Sequence, residues 1–488
     1  MEIINQLQLI LGSSLTPHNI LFCVIGCLIG NVIGLIPGIG PITTISLLLP
    51  VVYSMHGTSA ILMLSGIYYG AQYGDAVSAI TMKIAHSGSI VLCADGYMMH
   101  KQGKTGLALF TAGFSSFVGG TIAIILITFA APLLGKVAFL FGSAEYVWLM
   151  LLGLLTVSSI SKNRLDGIGM ACVGVLFGCV GTDLNTGFSR FTLHTTLLAD
   201  GIPIICITLG CFGIAETVKN LKSSPPYLAN PFIKMKPSAT EFVRICISAI
   251  RGGIVGSVLG LLPGGGPTIA QYVAYATEAK VSKYKSQLGS GSIEGIAAPA
   301  SADEAAARSS FIPLLSFGIP ENPVTALMLT AFVMVGVQPG PQMISQNPQM
   351  FINLVLCMWI GNIFLFLLNV PMVKLWLQVF KIPRRVLGIL TILCCFYGTY
   401  NINNNLYDIL LTVAFGIFGY LLMILKLEAS PMILGFVLGP MLEENFRRQM
   451  IIGYGDLTSF FNSTTSLILF GFLLFVLRNC GKIHTTPH

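Results

Sequence analysis

Charged side chains occur inside apolar stretches of this sequence, at positions where they need a partner or a function. Lys83 is the first lysine or arginine of the chain, and it follows Asp75 by eight positions in a run of small and apolar residues. In the second half, Asp303, Glu304 and Glu321 lie among alanine, glycine and proline residues. A charge at membrane depth costs on the order of 2.5–3.5 kcal/mol even on lenient scales, so such groups usually face a partner or an aqueous pathway. Lys83 could hold a substrate carboxylate, or it could form a structural ion pair with Asp75, Asp303 or Glu304.

The elements that must position these groups include a sixteen-residue stretch that occurs twice. Nine of its sixteen positions are identical between residues 26–41 and 252–267. Each copy has glycine at four-residue intervals, which lets a transmembrane helix approach a neighbouring helix closely. Each copy then runs into Pro-Gly-x-Gly-Pro, which removes backbone donors and stops the helix within the apolar region. Such irregular backbone is tolerated at membrane depth only where protein buries it or a watery cavity solvates it.

Matching helix breaks in two related halves indicate the binding site of a secondary transporter. Hydroxyls and free N–H groups at the start of each following half-helix favour an anion, while unwound carbonyls favour Na⁺ or another cation. The alternative is a pair of kinks that only shape helix packing. The predicted site residues at the two breaks are Pro37, Gly38, Gly40, Pro41, Thr43 and Thr44 in the first half, and Pro263, Gly264, Gly266, Pro267 and Thr268 in the second.

The composition is that of a membrane protein. Of the 488 residues, 54% are hydrophobic and only 9% are charged, whereas soluble domains carry roughly a quarter of charged residues. Apolar runs recur along the whole length, and we expect roughly eleven or twelve spans, each near the length that crosses about 30 Å of hydrocarbon. The net charge of +7 lies in short loops, where it sets topology rather than binding nucleic acid. We therefore predict an all-α, multi-pass protein of the bacterial inner membrane.

The chain is predicted to divide into two membrane repeats, residues 1–218 and 244–488. Between them, residues 219–243 form a polar stretch rich in lysine and proline, which the positive-inside tendency assigns to the cytoplasm. The first residues lack the basic region of a cleaved signal peptide, so the first span is expected to be retained.

Equivalent loops of the two repeats differ in charge. The loop at 53–57 lacks lysine and arginine, while its counterpart at 280–285 is basic. Further along, the loop at 100–104 is basic, while its counterpart at 336–350 is uncharged. Since basic loops favour the cytoplasm, this opposition predicts repeats of inverted topology, with broken helices in each. Residues 431–442 are too few to span comfortably and are expected to be re-entrant.

Other reactive residue types give weaker signals. The sequence has no GxxxxGK[ST] stretch for ATP hydrolysis, so pumping would need an ion gradient or a partner. The twelve cysteines show no CxxC spacing, and those in apolar spans, such as Cys23, are interpreted as small core residues. No metal site is expected, since His86 has no second ligand at a suitable spacing. Two helix-surface ion pairs are expected, Glu443 with Arg447 and Glu444 with Arg448.

Many short segments, in order, match one known family. Besides the two PGxGP stretches they are YYG at 68–70, DGY at 95–97, KQG at 101–103, RFT at 190–192, DGIP at 200–203, EGIAAP at 294–299, GIP at 318–320, PGP at 339–341, IGN at 360–362 and LGPMLEEN at 438–445. On these segments the chain resembles the large membrane subunit of the tripartite tricarboxylate transporter family over nearly its full length.

The resemblance implies a secondary carrier for small carboxylates that is usually coupled to Na⁺ or protons and needs no other cofactor. It also implies two partners, a small membrane subunit and a periplasmic solute-binding protein that delivers the substrate. By the same resemblance, the two PGxGP breaks and the segments that face them form a central site with alternating access.

The sequence departs from the family pattern at positions expected to set specificity. Residues 83–86 read KIAH where the family usually has Asn-x-Pro-Gly. Residues 299–304 read PASADE in place of Pro-Glu-x-Ala-Asn-Asn, and residues 318–321 read GIPE in place of Gly-Ile-Pro-Gly. Neutral amides and glycines have become charges, which suits a smaller or zwitterionic carboxylate better than a citrate-like trianion.

We therefore predict a substrate carboxyl held by Lys83 or by a half-helix start, and a coupling cation, proton or substrate amine held by Asp303, Glu304 or Glu321. The predicted site residues of these segments are Asp75, Lys83, Asp303, Glu304, Gly318, Pro320, Glu321 and Asn322. Alternatively, the new charges pair with each other and preserve an ordinary anion site. A channel and a transport-inactive paralogue are the competing functions, and no nucleophile with a base at suitable spacing points to an enzyme.

Overall fold

The structure, a computed structural model, is almost entirely helical. It describes residues 16–36, 40–53, 55, 57–83, 89, 91–138, 141–158, 163–183, 186–193, 195–221, 236–262, 266–337, 339–340, 343, 347–372 and 384–479. The α-helices are α1 (Pro17–Gly34), α2 (Pro41–Tyr53), α3 (Gly57–Met82), α4 (Leu92–Lys101), α5 (Thr105–Ala138), α6 (Ser143–Ser158), α7 (Arg164–Gly178), α8 (Ile204–Thr208), α9 (Ala215–Leu221), α10 (Ala239–Leu259), α11 (Pro267–Val281), α12 (Glu294–Ser309), α13 (Phe311–Phe317), α14 (Pro323–Met334), α15 (Pro348–Asn369), α16 (Arg384–Asn403), α17 (Leu406–Ile424), α18 (Ser430–Ile452) and α19 (Thr464–Asn479).

The remaining regular structure is short. Strands β1 (Gly181–Thr182) and β2 (Ser189–Arg190) form an antiparallel hairpin between α7 and α8. A π-helical segment, Leu209–Ile214, joins α8 to α9. The 3₁₀ turns are Thr196–Leu198, Lys285–Gln287 and Leu457–Phe461.

Five of the described helices are long and apolar enough to cross a membrane: α1, α5 over residues 105–131, α10, α15 and α17. Five further apolar helices are shorter, between 10 and 17 residues. The predicted all-α, multi-pass membrane fold is confirmed. The expected number of eleven or twelve spans stays a prediction, since several helices, such as the 12-residue α14, are too short to cross alone.

The repeated glycines are where helix backbones meet. A Cβ added at Gly26 would lie 2.3 Å from the carbonyl oxygen of Met63 in α3, and one at Gly252 would lie 2.2 Å from the carbonyl oxygen of Ala298 in α12. Real Cβ atoms essentially never approach within 3.0 Å, so only glycine fits these positions. Thus α1 packs on α3 in the first half as α10 packs on α12 in the second, as the glycine spacing predicts.

The same contacts give the directions of the helices. Gly30 faces Ile67 one turn after Gly26 faces Met63, so α1 and α3 run parallel. Gly256 faces Ala302 in the second half, so α10 and α12 also run parallel. Each half therefore contains the same parallel pair.

Contacts between the halves show that the two pairs run in opposite directions. Cys23 lies beside Cys357 and Cys27 beside Gly361, so α1 and α15 are parallel. Gly113 lies beside Val370 while Thr121 hydrogen bonds Asn362, so α15 and α5 are antiparallel. Finally, Ser116 bonds the Ala300 carbonyl and Ser316 the Ala131 carbonyl, both at 3.4 Å, so α5 runs parallel to α12 and α13. This opposite direction is the geometry expected of inverted repeats.

Cys23 is a buried core residue, as the sequence predicts, and it also has a partner that the sequence does not indicate. Cys23 and Cys357 form a disulfide with a Cα–Cα distance of 6.1 Å, within the usual range for such bonds, and it links α1 to α15. The two cysteines are 334 positions apart in the chain. Cys206 and Cys211, which are buried and free, match the same prediction of core residues.

The expected re-entrant segment at 431–442 is also wrong. These residues belong to the continuous 23-residue helix α18, about 34 Å long at 1.5 Å per residue. The two ion pairs predicted near its end are confirmed: Arg447 bonds Glu443 at 2.6 Å and Arg448 bonds Glu444 at 2.8 Å.

The predicted linker at 219–243 is described only at its ends. Helix α9 ends at Leu221, and α10 begins at Ala239 with a capping box between Ser238 and Glu241. Residues 222–235 lie outside the described part of the chain.

Candidate substrate and ion site

Both predicted helix breaks are present. Helix α1 ends at Gly34 and α2 begins at Pro41; helix α10 ends at Leu259 and α11 begins at Pro267. Gly40, Pro41, Gly266 and Pro267 are buried. The other four predicted break residues, Pro37, Gly38, Pro263 and Gly264, lie outside the described residues.

The three threonines after the breaks have different surroundings. Thr44 is buried and donates its hydroxyl to the carbonyl of Gly40 at 2.9 Å, the same carbonyl that accepts the Thr44 N–H at the start of α2. Thr43 is buried and packs beside Gly213 of the π-helical segment. Thr268 is half-buried in the first turn of α11. Of the three, only Thr268 follows the break that the acidic residues approach.

A tight turn brings Pro320 and Glu321 to the second break. Helix α13 ends at Gly318, whose φ of +69° is left-handed and favours glycine. Helix α14 begins after Asn322, whose Oδ1 accepts a hydrogen bond from the Thr325 N–H at 3.0 Å. In return, Thr325 Oγ1 accepts hydrogen bonds from the N–H groups of Glu321 and Asn322. The turn is therefore fixed at both ends, which holds Glu321 in place.

Five side chains from four elements meet beside this turn, and we call them the acidic pocket: Tyr68 of α3, Gln271 of α11, Asp303 of α12, and Glu321 and Asn322 of the turn. Asp303 is 3% exposed and accepts a hydrogen bond from Gln271 at 2.8 Å. Tyr68 is buried, and its hydroxyl faces Asn322, Glu321 and Asp303. The Glu321 carboxylate lies against the backbone of Gly266 at the break.

Glu304 is not one of the side chains of the acidic pocket, although the sequence predicted that it holds a coupling cation, a proton or a substrate amine. Its carboxylate forms a buried ion pair with Arg308, one helical turn later on α12. Arg308 also donates to Asn362 of α15 at 3.1 Å, and its guanidinium lies 4.6 Å from the ring centre of Tyr69 on α3. Since its charge is already neutralised, Glu304 is a structural residue that joins both halves. Its partner Arg308 is not one of the charges at the departures from the family pattern.

Lys83 lies far from the acidic pocket. It is exposed, and its Nζ lies 5.8 Å from the ring centre of Tyr97, which Lys101 also covers at 4.9 Å. Lys83 follows Tyr68 by fifteen residues along α3, which is about 22 Å at 1.5 Å per residue. It can therefore neither pair with Asp303 nor share a small solute with Glu321 in this structure. His86 is outside the described residues.

Lys83 and Gly318 occupy equivalent backbone positions in the two halves. Lys83 follows Ile67, the residue that faces Gly30, by sixteen positions, and Gly318 follows Ala302, which faces Gly256, by the same sixteen. Both have left-handed φ angles, +55° and +69°. The first-half departure from the family pattern therefore places a lysine in a conformation that favours glycine or asparagine.

Asp75 is the remaining predicted acid. It is buried on α3, two turns after Tyr68, and the Ser78 hydroxyl approaches its Oδ1 at 3.5 Å. Asp75 also interacts electrostatically with Asp303. It therefore lies next to the acidic pocket, on the side toward the end of α3.

The DGY and EGIAAP segments, at 95–97 and 294–299, lie at one structural contact. Asp95 on α4 accepts hydrogen bonds from the N–H groups of Gly291 and Ser292 at 2.8 and 2.7 Å and from the Tyr275 hydroxyl at 3.0 Å. A Cβ on Gly295 would lie 2.0 Å from the Asp95 carboxylate. The DGY and EGIAAP segments thus serve to join α4 to the start of α12, which sequence alone did not indicate.

The RFT and LGPMLEEN segments also meet. Arg190 in β2 donates to Glu443 of α18 at 2.8 Å, and Arg447 bonds Asp183 at 2.9 Å. The hydrogen bond that Arg190 donates to Glu443 raises the pKa of Arg190, so this guanidinium stays charged throughout the physiological range. These four charges attach the β-hairpin to α18.

Comparison with known proteins assigns the chain to a family. A sequence profile described as "Tripartite tricarboxylate transporter TctA family" matches residues 20–434. The chain belongs to the TctA family. This confirms the resemblance seen in the sequence and makes the protein the large subunit of a tripartite tricarboxylate transporter, a transporter family rather than an enzyme family.

Two relatives of this TctA protein come from Agrobacterium vitis. It is 43% identical over 460 residues to an "uncharacterized 52.8 kDa protein in TAR-I ttuC' 3'region", covering 93% of this chain and 92% of the relative. It is 45% identical over 216 residues to an "uncharacterized protein in TAR-II ttuC' 3'region", covering 44% of this chain and 89% of the relative. No solved structure matches.

Proposed function

We propose that this TctA protein is the permease subunit of a binding-protein-dependent secondary transporter of the bacterial inner membrane, which takes up small carboxylate-bearing solutes. A periplasmic solute-binding protein would deliver the solute, and a small membrane subunit would complete the complex. The acidic pocket beside the second helix break is the observation that carries this proposal. Membership of the TctA family supports it.

The depth of the acidic pocket supports a transport site. Asp303 lies nine residues into α12 and Tyr68 eleven residues into α3, which is about 14 and 16 Å from the starts of these helices. We propose that the starts of both helices lie near a membrane surface, which would put both residues near the middle of a hydrocarbon layer about 30 Å thick. Substrate and ion sites of secondary transporters lie near this depth, between repeats and at discontinuous helices.

The second break also offers a place for a carboxylate. Helix α11 begins at Pro267, and the free N–H groups of its first turn favour a negative group. Glu321 lies against Gly266, directly before that turn. A solute carboxyl bound at the start of α11 would therefore neighbour Glu321, which links solute binding to the charge of this side chain.

Lys83 has a different role in this proposal. Its exposed position beside Lys101, at the end of α3, suits attraction of an anionic solute rather than direct binding at mid-depth. An Na⁺ or proton gradient would drive uptake, and the central site would open alternately to the two sides of the membrane.

The test is thermal unfolding of the purified chain in detergent against succinate, malate, citrate, glutamate and glycine, with mannitol as the uncharged control. A solute at about 100 times its Kd should add roughly 2.7 kcal/mol of stability. We expect carboxylates to raise the Tm of the wild type. Asn322→Ser keeps a helix-capping oxygen but removes the amide from the acidic pocket, so it should reduce this shift relative to its own solute-free Tm.

Glu444→Gln is the matched control, because Glu444 lies in an exposed ion pair on α18 outside the pocket. It should keep the full shift. Absence of a shift with every solute would count against a solute site formed by this chain alone. Single-channel currents in a planar bilayer would favour a channel over a carrier.

A further inference from the structure

We propose that Glu321 is the group that binds the coupling proton. The inference rests on the function proposed above and deepens it, because it selects a proton over Na⁺ and assigns it to one side chain. The departure of residues 318–321 from the family pattern made Glu321 a candidate for a cation, a proton or a substrate amine. The surroundings of Glu321 distinguish between these three possible ligands.

Glu321 differs from every other buried glutamate in the described part of the chain. Glu278 is paired with Arg251 at 2.9 Å, Glu294 with Arg244 at 2.7 Å, and Glu304 with Arg308. Glu145 has no arginine, but accepts hydrogen bonds from Ser463, Thr465 and the Gly142 N–H. Glu321 is only 1% exposed, yet no side chain among the described residues forms a hydrogen bond or ion pair with its carboxylate.

The charged and titratable groups that face Glu321 are acids. Helix α3 contributes Tyr68 and α12 contributes Asp303. Helices α6 and α18 contribute Tyr146 and apolar side chains such as Met150 and Leu434 to the cluster that holds Ile319. Helix α14 contributes Thr325, and the break contributes the backbone of Gly266. The buried cation of α12, Arg308, is already bound to Glu304 and Asn362.

An ionised carboxylate in such a place is unfavourable, because no cationic side chain among the described residues faces it and the Gly266 backbone offers it one hydrogen bond. It must be neutralised either by a metal cation or by a proton. A bound Na⁺ needs several oxygen ligands at once, including unwound carbonyls. A proton needs only one carboxylate oxygen.

The oxygen atoms near Glu321 already accept hydrogen bonds from other groups. Asn322 Oδ1 accepts from the Thr325 N–H at 3.0 Å, and the Asn322 carbonyl accepts from Ala326 at 2.9 Å. The Gly266 carbonyl accepts from Ala270 at 3.1 Å. Asp303 Oδ1 accepts from Gln271 at 2.8 Å. Each of these oxygens already accepts a hydrogen bond and keeps one lone pair for a metal ion, and no hydroxyl among the described residues hydrogen bonds the Glu321 carboxylate. A proton, which needs one carboxylate oxygen alone, is therefore the simpler way to neutralise Glu321.

Protonation would couple directly to solute binding. The carboxylate of Glu321 takes a proton from a hydronium ion on the outer side: an O–H bond of hydronium breaks, the carboxyl O–H bond forms, and a neutral acid and a water molecule result. The neutral pocket accepts a solute carboxylate at the start of α11, whereas ionised Glu321 would repel it at close range. When the site opens to the inner side, water hydrates the carboxylate and removes the reason for its protonation, so Glu321 gives its proton to that water as the solute leaves. One proton therefore moves with each solute.

The experiment is infrared difference spectroscopy of the full-length purified chain during a pH titration, without any solute. Wild type should show the C=O band of a protonated carboxyl group at neutral pH, and Glu321→Gln should lack it. Gln is isosteric with the neutral acid, so this variant should fold, which the amide bands check. Glu321→Asp should retain a shifted band. The matched control is Glu145→Gln, which removes a buried but hydrogen-bonded carboxylate elsewhere and should keep the Glu321 band.

The second measurement is Tm in NaCl against choline chloride at equal ionic strength. We expect the same Tm in both salts for the wild type and for Glu321→Gln. A neutral-pH band unchanged in Glu321→Gln, or an Na⁺-specific rise in Tm that this variant abolishes, would overturn the proposal. Neither measurement uses a solute, so such a failure would leave the carboxylate-uptake proposal standing, while a negative solute screen would leave the proton site standing.

Discussion

The glycine contacts of the two helix pairs give a prediction that can be worked out from distances. In Gly256→Ala, the new methyl group would lie 2.3 Å from the carbonyl oxygen of Ala302 and 2.6 Å from its Cα. An ordinary contact is at least 3.4 Å, so α10 and α12 must separate locally by about 1 Å. Extra methyl groups in close-packed interiors cost about 1–3 kcal/mol, and in a membrane close packing is itself the main source of helix association. We expect a lower Tm.

The matched control is Gly169→Ala in α7, where an added Cβ meets nothing within 4 Å. There alanine should stabilise the helix by up to about 1 kcal/mol, because glycine is the poorer helix former. Gly30→Ala provides the equivalent test in the first half, since its Cβ would also lie 2.3 Å from a carbonyl oxygen, that of Ile67. The assay is the apparent Tm in detergent at one scan rate. If Gly256→Ala and Gly30→Ala melted at or above wild type, the parallel helix pairs described here would be wrong.

Two further predictions concern charges whose roles the structure reassigns. Arg308→Met leaves Glu304 buried without its partner and should cost about 3–5 kcal/mol. The double variant Arg308→Met, Glu304→Gln should recover most of the lost Tm, because neither charge of this pair remains; equal losses in the single and double variants would argue against the pair. Lys83→Gly should raise the Tm by relieving a left-handed φ of +55°, which costs a lysine about 1–2 kcal/mol. Lys101→Gly is the control, because Lys101 also lies over Tyr97 but belongs to a helix, where glycine should lower the Tm. A fall of the Tm in both variants would contradict this reasoning.

Local features of the sequence predicted the architecture well. Glycine spacing, proline breaks and apolar length act within a few residues, and they determined the paired helices, the restarts at Pro41 and Pro267 and the all-helical membrane class. The family assignment was also readable from ordered short segments. The error at 431–442 came from treating these residues as a separate, short segment, although they belong to the 23-residue helix α18.

The roles of the charged residues required the tertiary structure. Sequence placed Lys83, Asp303, Glu304 and Glu321 in one candidate group, because each is a charge in an apolar stretch. The fold separates them: Lys83 lies about 22 Å along α3 from Tyr68, Glu304 is bound to Arg308, and Glu321 alone is left without a side-chain partner among the described residues.

The sequence by itself therefore determined which elements form and where they break, since backbone preferences and hydrophobic length are local properties. The tertiary structure alone decided which charges are neutralised. Partners such as Cys23 with Cys357, 334 residues apart, or Tyr68 with Asn322, are brought together only when antiparallel halves pack. Because the low dielectric of a membrane interior makes the charge state depend on the nearest few ångströms, this packing sets the chemistry of the site.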